Sequence, residues 1–362
     1  MINDSTDNQA AEEGNQGSSP PQQEQKKSYK VVVEQIDQYR TQQSIFCHLA
    51  VKNKDSYLLL KLMAPPYMIE NQGTVFILSS GKFPLYRDSV YYRPLNCYFW
   101  NNNRKFYRKD IDTNHAYIFM DLVLFSKMPA TTFRCSELNQ RMFVAVDDGD
   151  ILVINPRKRR VDLKVKTLEP AKQFCEFFVF GEKENKILTI TEPGYIQLVN
   201  LNIQLKKVTS KGLSKIEFPR TDLPEVVSRA AVDPKGEFLL IQVKPRNSFF
   251  VTSMMMYRIK GNSLALASTL DVLALGIVKI GALGCHGYEN GKLVFVGLSQ
   301  ADRGDIDIFE YDDRAKKITH LPLPRIYSHQ ERSPLVMQRL DQYFYYSGLN
   351  GKVMRMKVEV EE

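Results

Sequence analysis

Residues 142–164 read MFVAVDDGDILVINPRKRRVDLK. Two apolar runs of strand length, MFVAV and ILVI, flank the sequence DDGD, whose aspartates and glycine favour a tight reversal of the backbone. Asn155 and Pro156 interrupt the second run, after which VDLKV alternates apolar and polar side chains, as a strand with one buried face does. The stretch therefore predicts three consecutive antiparallel strands joined by short turns.

The same layout recurs along the chain, with a glycine before the third strand of a unit. These glycines are Gly73, Gly149, Gly194, Gly304 and Gly351. The intervals of 45 residues from Gly149 to Gly194 and 47 from Gly304 to Gly351 are close to the length of one propeller blade. The other two intervals, of 76 and 110 residues, each divide into two blades. The period predicts seven units, of which the last lacks a fourth strand.

Residues 30–36, which include three consecutive valines, have the length and composition of the missing strand. Residues 1–29 are rich in Gln, Asn and Ser without an apolar period, so they are predicted to form a disordered tail. We therefore predict an all-β fold, a single β-propeller of seven four-stranded blades over residues 30–362, closed by residues 30–36 in the last blade. Closure of the ring removes sheet edges that promote aggregation.

Some segments inside this pattern carry more specific predictions. Residues 249–259 are expected to form one strand, and residues 206–208 a short outer strand of their unit. Helical periodicity is confined to two short windows, residues 170–177 and 270–277. The rest of the apolar segments have the length and alternation of strands.

This layout resembles that of the WD40-like β-propeller superfamily over residues 30–360. Two sequence marks of that superfamily are missing, because the sole tryptophan, Trp100, is not followed by Asp and no Gly-His pair opens a blade. The resemblance is therefore architectural and brings no functional residues with it. It implies a closed ring that offers a broad face and rim to partners.

The composition favours a soluble chain of the cytoplasm or nucleus. The chain has 49 Lys and Arg against 41 Asp and Glu, and the net charge of +8 permits an acidic partner such as RNA, an anionic membrane surface or an acidic protein. Its five cysteines form no CxxC pair and are predicted to be reduced, buried thiols. No secretory signal and no apolar segment of about twenty residues is found, so membrane insertion is not expected.

No motif of catalysis or cofactor binding occurs in the sequence. GxSxG, the P-loop, GxGxxG and HExxH are all missing, so we expect no enzyme activity, no cofactor and no small-molecule substrate. The acidic turn at residues 147–150 does not have EF-hand spacing, and the five histidines are scattered, so no metal site is expected. The predicted channel-lining strands carry four polar exceptions, which are too few and too mixed for a site: His48, Arg134, Glu176 and Arg229.

Four consecutive cations, Arg157, Lys158, Arg159 and Arg160, occupy the predicted turn between the third and fourth strands of their unit. They have the composition of a nuclear-import signal, a phosphate-binding edge or a docking patch for an acidic peptide. A charged turn that protects an outer strand edge is an equally good interpretation. The pairs Lys206–Lys207 and Lys316–Lys317 fall at corresponding turns, which would place all of these cations on one face or rim.

Aromatic and basic residues are interleaved in the second unit, where the members chosen as candidate partner contacts are Tyr98, Trp100, Arg104 and Tyr107. Aromatic side chains beside Arg are used by protein-binding hot spots and by platforms for single-stranded RNA. Strand alternation in the core explains the same pattern. The sequence thus favours a non-enzymatic scaffold that binds other proteins inside the cell, with an RNA- or ribonucleoprotein-binding propeller as the alternative.

Overall fold

The computed structural model of the chain describes residues 28–38, 47–61, 67–70, 74–77, 86–102, 105–113, 116–125, 130–146, 149–166, 174–220, 222–277, 280–299, 305–323, 336–347 and 352–361. Residues 1–27, which make up most of the predicted tail, lie outside this set. The described residues form 28 strands in seven sheets of four strands each. The predicted all-β fold with seven four-stranded blades is therefore confirmed.

The strands are numbered in chain order and grouped by blade. Blade 1 contains β2 (Cys47–Asn53), β3 (Ser56–Lys61), β4 (Tyr67–Glu70) and β5 (Thr74–Ile77), and blade 2 contains β6 (Tyr86–Tyr92), β7 (Cys97–Asn102), β8 (Lys105–Asp110) and β9 (Ala116–Asp121). Blade 3 contains β10 (Ala130–Ser136), β11 (Arg141–Val146), β12 (Ile151–Asn155) and β13 (Arg160–Val165), and blade 4 contains β14 (Phe174–Phe180), β15 (Lys186–Thr191), β16 (Tyr195–Asn202) and β17 (Lys207–Lys215).

The remaining blades follow the same order. Blade 5 contains β18 (Glu225–Val232), β19 (Phe238–Pro245), β20 (Ser253–Lys260) and β21 (Ser263–Asp271), and blade 6 contains β22 (Ile280–Glu289), β23 (Lys292–Ser299), β24 (Ile306–Asp312) and β25 (Lys317–Pro322). Blade 7 contains β26 (Val336–Leu340), β27 (Tyr343–Ser347), β28 (Lys352–Glu361) and, as its outer strand, β1 (Ser28–Gln38).

The blades form a ring because the first strand of each meander lies beside the first strand of the next. This chain of neighbours runs through β2, β6, β10, β14, β18, β22 and β26 and returns to β2. β1 pairs antiparallel with β28 over ten residue pairs, from Ser28 opposite Glu361 to Gln38 opposite Lys352. The strand begins at Ser28, two residues before the predicted start, because Tyr29 is buried against blade 6 and its hydroxyl donates to Glu310.

The three-strand meander predicted from residues 142–164 is observed in blade 3. Met142 pairs with Ile154 across the β11–β12 hairpin, and Ile151 pairs with Val165 across the next one. Gly149 has a φ of +88°, and Gly194 has the same value at the equivalent turn of blade 4. This left-handed conformation is accessible to glycine at little cost, so the recurring glycine is the sequence mark of the turn between the second and third strands.

The core lies between neighbouring blades. All residues of β12 are buried, as are Met142, Phe143, Val144, Ala145 and Val146 of β11, because both faces of these central strands are covered by adjacent sheets. A strand buried on both faces reads as a continuous apolar run. This explains why MFVAV and ILVI show no alternation, whereas VDLKV in the outer strand does.

Some local predictions were wrong. The strand predicted over residues 249–259 begins at Ser253, because Phe249 and Phe250 lie in an exposed loop. The strand predicted over residues 206–208 continues to Lys215. In the described part of the chain the helical elements are 3-10 turns at Arg93–Leu95, Leu122–Leu124 and Leu273–Leu275, and none is long enough to cross a membrane.

Candidate partner-binding surface

The basic turn joins β12 to β13 in blade 3, as predicted, and all four of its cationic residues are exposed. The Asn155 side chain holds the turn, because its Oδ1 accepts hydrogen bonds from the backbone N–H groups of Arg157 (3.1 Å) and Lys158 (3.0 Å). Arg159 has a φ of +49°, in the left-handed region. The backbone that presents the cations is therefore fixed by local bonds.

The same turn recurs in blades 4 and 6. Asn202 Oδ1 accepts from Leu205 N at 2.8 Å, and Asp312 Oδ1 accepts from Arg314 N at 2.8 Å. In each turn the fourth residue after the Asn or Asp is a cation with positive φ, and the next residue is a second cation that begins or precedes the outer strand: Arg159 and Arg160, Lys206 and Lys207, Lys316 and Lys317. Corresponding turns of a propeller lie at the same end of the strands, so the three basic turns lie on one face of the ring.

Asp162 in β13 neutralises part of this charge. Its side chain is 2 % exposed and lies 2.9 Å from Arg141 Nε, 2.9 Å from Arg160 Nε and 3.2 Å from Lys206 Nζ of the next blade. The approach of Arg141 is an ion pair without hydrogen-bond geometry. Burial alone would raise the pKa of Asp162, but hydrogen bonds from Lys206 and Arg160 hold the pKa of this carboxyl below its usual value.

Arg159 lies on the opposite side of the turn, against blade 2. Its guanidinium carbon is 5.1 Å from the ring centroid of Tyr117 and 5.8 Å from that of Phe119, both in β9. These are cation–π distances. Arg159 therefore contacts blade 2 and Arg160 pairs with Asp162 within β13, so both charges already have partners.

Arg157 and Lys158 differ from the other two cations of the turn. Both side chains are exposed, and within the described ranges neither lies within ion-pair distance of a carboxylate. Their backbones are held by Asn155, so two unpaired charges project from a fixed turn. The sequence placed all four cations in one candidate site, whereas the geometry separates two with structural partners from two that are available to a ligand.

Replacing Asp162 with asparagine is expected to lower the free energy of unfolding by about 2 kcal/mol at neutral pH, because three cations lose their shared carboxylate. The pKa of Asp162 is lowered in the folded chain, so its contribution is present above the ordinary aspartate pKa of about 4 and is lost as the pH falls through the folded value. Urea unfolding of both chains across this acidic range measures the difference.

Asp150→Asn is the matched control, since Asp150 pairs with Lys164 Nζ at 2.7 Å and the side chain of that lysine is 41 % exposed. This change should cost less than about 1 kcal/mol. An Asp162→Asn chain that is as stable as wild type at neutral pH would contradict the role of this carboxylate.

The aromatic candidates of blade 2 require a correction. Tyr98 is fully buried and Trp100 is 1 % exposed, and both pack against Leu58, Leu60 and Met68 of blade 1. Tyr107 is half-buried and stacks on Trp100 with ring centroids 5.6 Å apart and an interplanar angle of 8°. Neither Tyr98 nor Trp100 can contact a partner in the folded chain, because the blade 1–blade 2 interface covers them. Arg104, the fourth candidate, lies outside the described residues.

The inner strands carry charges that link consecutive blades. Arg134 Nη1 lies 2.7 Å from Asp88 Oδ2, Arg229 Nη1 lies 4.0 Å from Glu176 Oε1, and Arg229 Nε donates to Gly281 O at 2.6 Å. Burial raises the pKa of Glu176, an effect that the charges of Arg229 and Arg134 oppose. Three of the four predicted polar exceptions thus form pairs between blades. The side chain of His48 is outside the described set.

Asp88 was not identified from the sequence, because its partners lie one blade further along the chain. Besides pairing with Arg134, its Oδ2 accepts from Thr132 Oγ1 at 2.5 Å and from Phe133 N at 3.2 Å, both in β10. In the described ranges no group of three His, Cys, Asp or Glu side chains is arranged to hold a metal ion. These inner charged side chains form ion pairs and hydrogen bonds that link neighbouring blades.

No family model matches the sequence. No curated protein matches it either. Among solved structures, the chain is similar to the WD40 β-propeller domain of Doa1, with a TM-score of 0.58, 10 % sequence identity, and coverage of 90 % of this chain and 97 % of that one. At this identity the similarity concerns the fold alone. The chain therefore has a divergent version of the WD40-like propeller fold, which confirms the resemblance inferred from the repeat pattern.

Proposed function

We propose that this chain is a propeller scaffold of the cytoplasm or nucleus that binds another protein without catalysing a reaction. Arg157 and Lys158 contact an acidic segment of that partner. The observation that carries the proposal is the presence of two exposed cations, without an ion-pair partner in the part of the chain that the structure describes, on a turn whose backbone is already fixed. The cysteines Cys97, Cys135 and Cys285 are free thiols, which agrees with a reducing compartment.

The fixed turn makes binding to a carboxylate favourable for a simple reason. A ligand that meets a preorganised backbone does not have to order it, so less of the interaction energy is lost on binding. Exposed cations mainly raise the rate of association with an oppositely charged partner and select against basic ones. Asp162 supplies one negative charge to Arg141, Arg160 and Lys206, so the turn keeps a net positive charge to which Arg157 and Lys158 contribute.

The structure removes one of the two observations that supported the RNA-binding alternative, the aromatic cluster of blade 2. Stacking platforms need exposed aromatic rings, and Tyr98 and Trp100 are buried between blades 1 and 2. Phosphate contacts from the basic turns remain compatible with the charge of this face. RNA binding is therefore an outcome to be measured in the same experiment, through its steep dependence on salt.

The double change Arg157→Gln/Lys158→Gln is expected to weaken binding to the partner about tenfold, since 1.4 kcal/mol corresponds to one decade of affinity and each exposed pair contributes up to about 1 kcal/mol. Stability should change by less than about 1 kcal/mol. Partners are captured with the wild-type chain, identified by cross-linking and mass spectrometry, purified, and titrated against both chains at low and physiological salt.

The matched control is Arg314→Gln/Lys317→Gln, which removes the same charge from the equivalent turn of blade 6. It should leave the affinity for the partner unchanged. Equal affinity of both double variants and wild type would contradict the proposal. Binding to homopolymer RNA that both double variants weaken equally, with a steep salt slope, would favour the RNA alternative instead.

A further inference from the structure

The loop between β19 and β20 in blade 5 exposes two consecutive aromatic side chains. Phe249 is 74 % exposed and Phe250 is 52 % exposed. Neighbouring Leu223, Leu273 and Leu275, on the segments before β18 and after β21, are 40 %, 41 % and 51 % exposed. Contiguous exposed apolar side chains, unlike scattered ones, mark interaction surfaces.

The loop that carries these two rings is held in one conformation by hydrogen bonds within the loop. Lys244 Nζ donates to the carbonyl oxygens of Pro245 (3.3 Å), Arg246 (3.3 Å) and Ser248 (3.1 Å). Ser248 Oγ accepts from Phe250 N at 3.0 Å. A lysine bound to three carbonyl oxygens fixes the curvature of the loop, so the phenylalanines are presented in a set position.

The loop is also attached to the segments on either side of it. Arg246 N donates to Pro224 O at 2.8 Å, and Val251 N donates to Ile277 O at 3.2 Å. Between these attachments lies a groove with a volume of about 470 Å³, which we call the blade 5 groove. Its lining includes Arg220, Leu223, Arg246, Phe250, Thr252 and Leu273.

The chemistry of the groove is apolar with two cations. Among the described residues, the ionisable side chains that line it are those of Arg220 and Arg246, while the buried carboxylate of Glu225, which is not a lining residue, accepts from Thr252 Oγ1 at 2.5 Å and from Arg220 N at 3.2 Å. Arg220 has a distant partner, Asp271, at 3.9 Å, whereas Arg246 is exposed. A ligand that combines an apolar anchor with a neighbouring negative charge complements this surface.

We propose that the blade 5 groove binds a short segment of a partner protein in which an aromatic or leucine side chain stands next to Asp or Glu. The anchor side chain enters the groove against Phe250 and Leu273, and the carboxylate lies beside Arg246. Phe249 and Leu275, which are close in sequence to the lining residues Phe250 and Leu273, are exposed as well, which favours a peptide over a small molecule enclosed by the cavity. The rigid loop favours binding, because little order is lost when the segment docks.

This site is separate from the basic turn of blade 3. The blade 5 groove is built from a loop between second and third strands, and the basic turn joins third and fourth strands. Successive connections of a meander lie at opposite ends of its strands, so the two sites are on opposite faces of the ring. Loss of one interaction therefore leaves the other measurable.

The proposal is tested by selecting peptides from a phage-displayed library of random short peptides against the full chain. We expect the enriched sequences to share an aromatic or leucine residue beside Asp or Glu. Synthetic versions should bind the Phe250→Ser and Phe249→Ser/Phe250→Ser chains at least tenfold more weakly than wild type. Arg246→Gln should weaken binding several-fold at low salt and less at high salt.

Leu205→Ser is the matched control, because Leu205 is 63 % exposed at the β16–β17 turn of blade 4, on the other face. It should leave peptide affinity unchanged. Thermal melting checks that each variant folds, and Leu273→Ser, which changes a lining residue that is 41 % exposed, replaces Phe250→Ser if the latter melts early. Enriched peptides that lack an acidic residue, or that bind all variants equally, would overturn the proposal. So would concentration-dependent self-association of the chain that Phe249→Ser/Phe250→Ser abolishes, since the groove would then bind a second copy.

Discussion

A chain that lacks residues 1–38 is expected to aggregate, whereas a chain that lacks only residues 1–27 is expected to melt at the same temperature as the full chain. The difference is the strand β1, which is the outer strand of blade 7 although it comes first in the sequence. Its removal leaves β28 as an exposed edge with unpaired backbone donors and acceptors. Such edges pair with other chains.

The burial of β1 side chains explains why the effect should be large. Tyr29 and Val31 are 7 % and 3 % exposed, and they pack in the same cluster as Met354, Met356 and Val358 of β28. Each fully buried apolar side chain of this size contributes about 1.5–3 kcal/mol. A whole domain has only about 5–15 kcal/mol of net stability, so loss of the strand removes a large part of it.

Size-exclusion chromatography and thermal melting by circular dichroism distinguish the two truncated chains. As a control, a synthetic peptide of residues 28–38 added in trans should restore a soluble species to the shorter chain, and a scrambled peptide should not. If the chains lacking 1–27 and 1–38 melt alike, β1 does not close the ring in solution.

The fold could be predicted from the sequence because its signals are local. Apolar runs and the turn glycines Gly149 and Gly194 mark the meanders of blades 3 and 4, and an Asn or Asp followed by cations marks the next turn in blades 3, 4 and 6. The extent of β17 was missed because an outer strand alternates polar and partly buried residues, and its second half has no apolar run. The sequence pattern therefore predicts the positions of the blades more accurately than the ends of their outer strands.

The candidate sites were less predictable because they depend on contacts between blades. Lys206 and Asp162 are 44 positions apart, and Arg134 and Asp88 are 46 apart, about one blade in each case. No periodicity reveals which charges will meet at that separation. In the same way, Phe249 and Phe250 have the composition of a buried strand, whereas the hydrogen bonds of Lys244, Ser248 and Arg246 hold them in an exposed loop.

Replacing Trp100 with alanine is expected to lower the free energy of unfolding by about 3–5 kcal/mol, the usual cost of truncating a buried large aromatic side chain. Trp100 is 1 % exposed in β7 and stacks on Tyr107, so its loss leaves a cavity between blades 1 and 2. Its indole Nε1 has no hydrogen-bond partner among the described residues. Trp100→Phe therefore removes no such bond and should cost about 1 kcal/mol.

Because Trp100 is the only tryptophan, its fluorescence reports the unfolding of this interface directly in the wild-type chain. Urea unfolding followed by circular dichroism gives the free energies of the variants. Ile118→Ala is the control, since Ile118 lies in β9 of the same blade and is 50 % exposed, and it should change stability by less than about 0.5 kcal/mol. A Trp100→Ala chain that keeps wild-type stability but loses partner binding would show that the aromatic cluster of blade 2 is a contact surface after all, and the packing of blades 1 and 2 described above would be wrong.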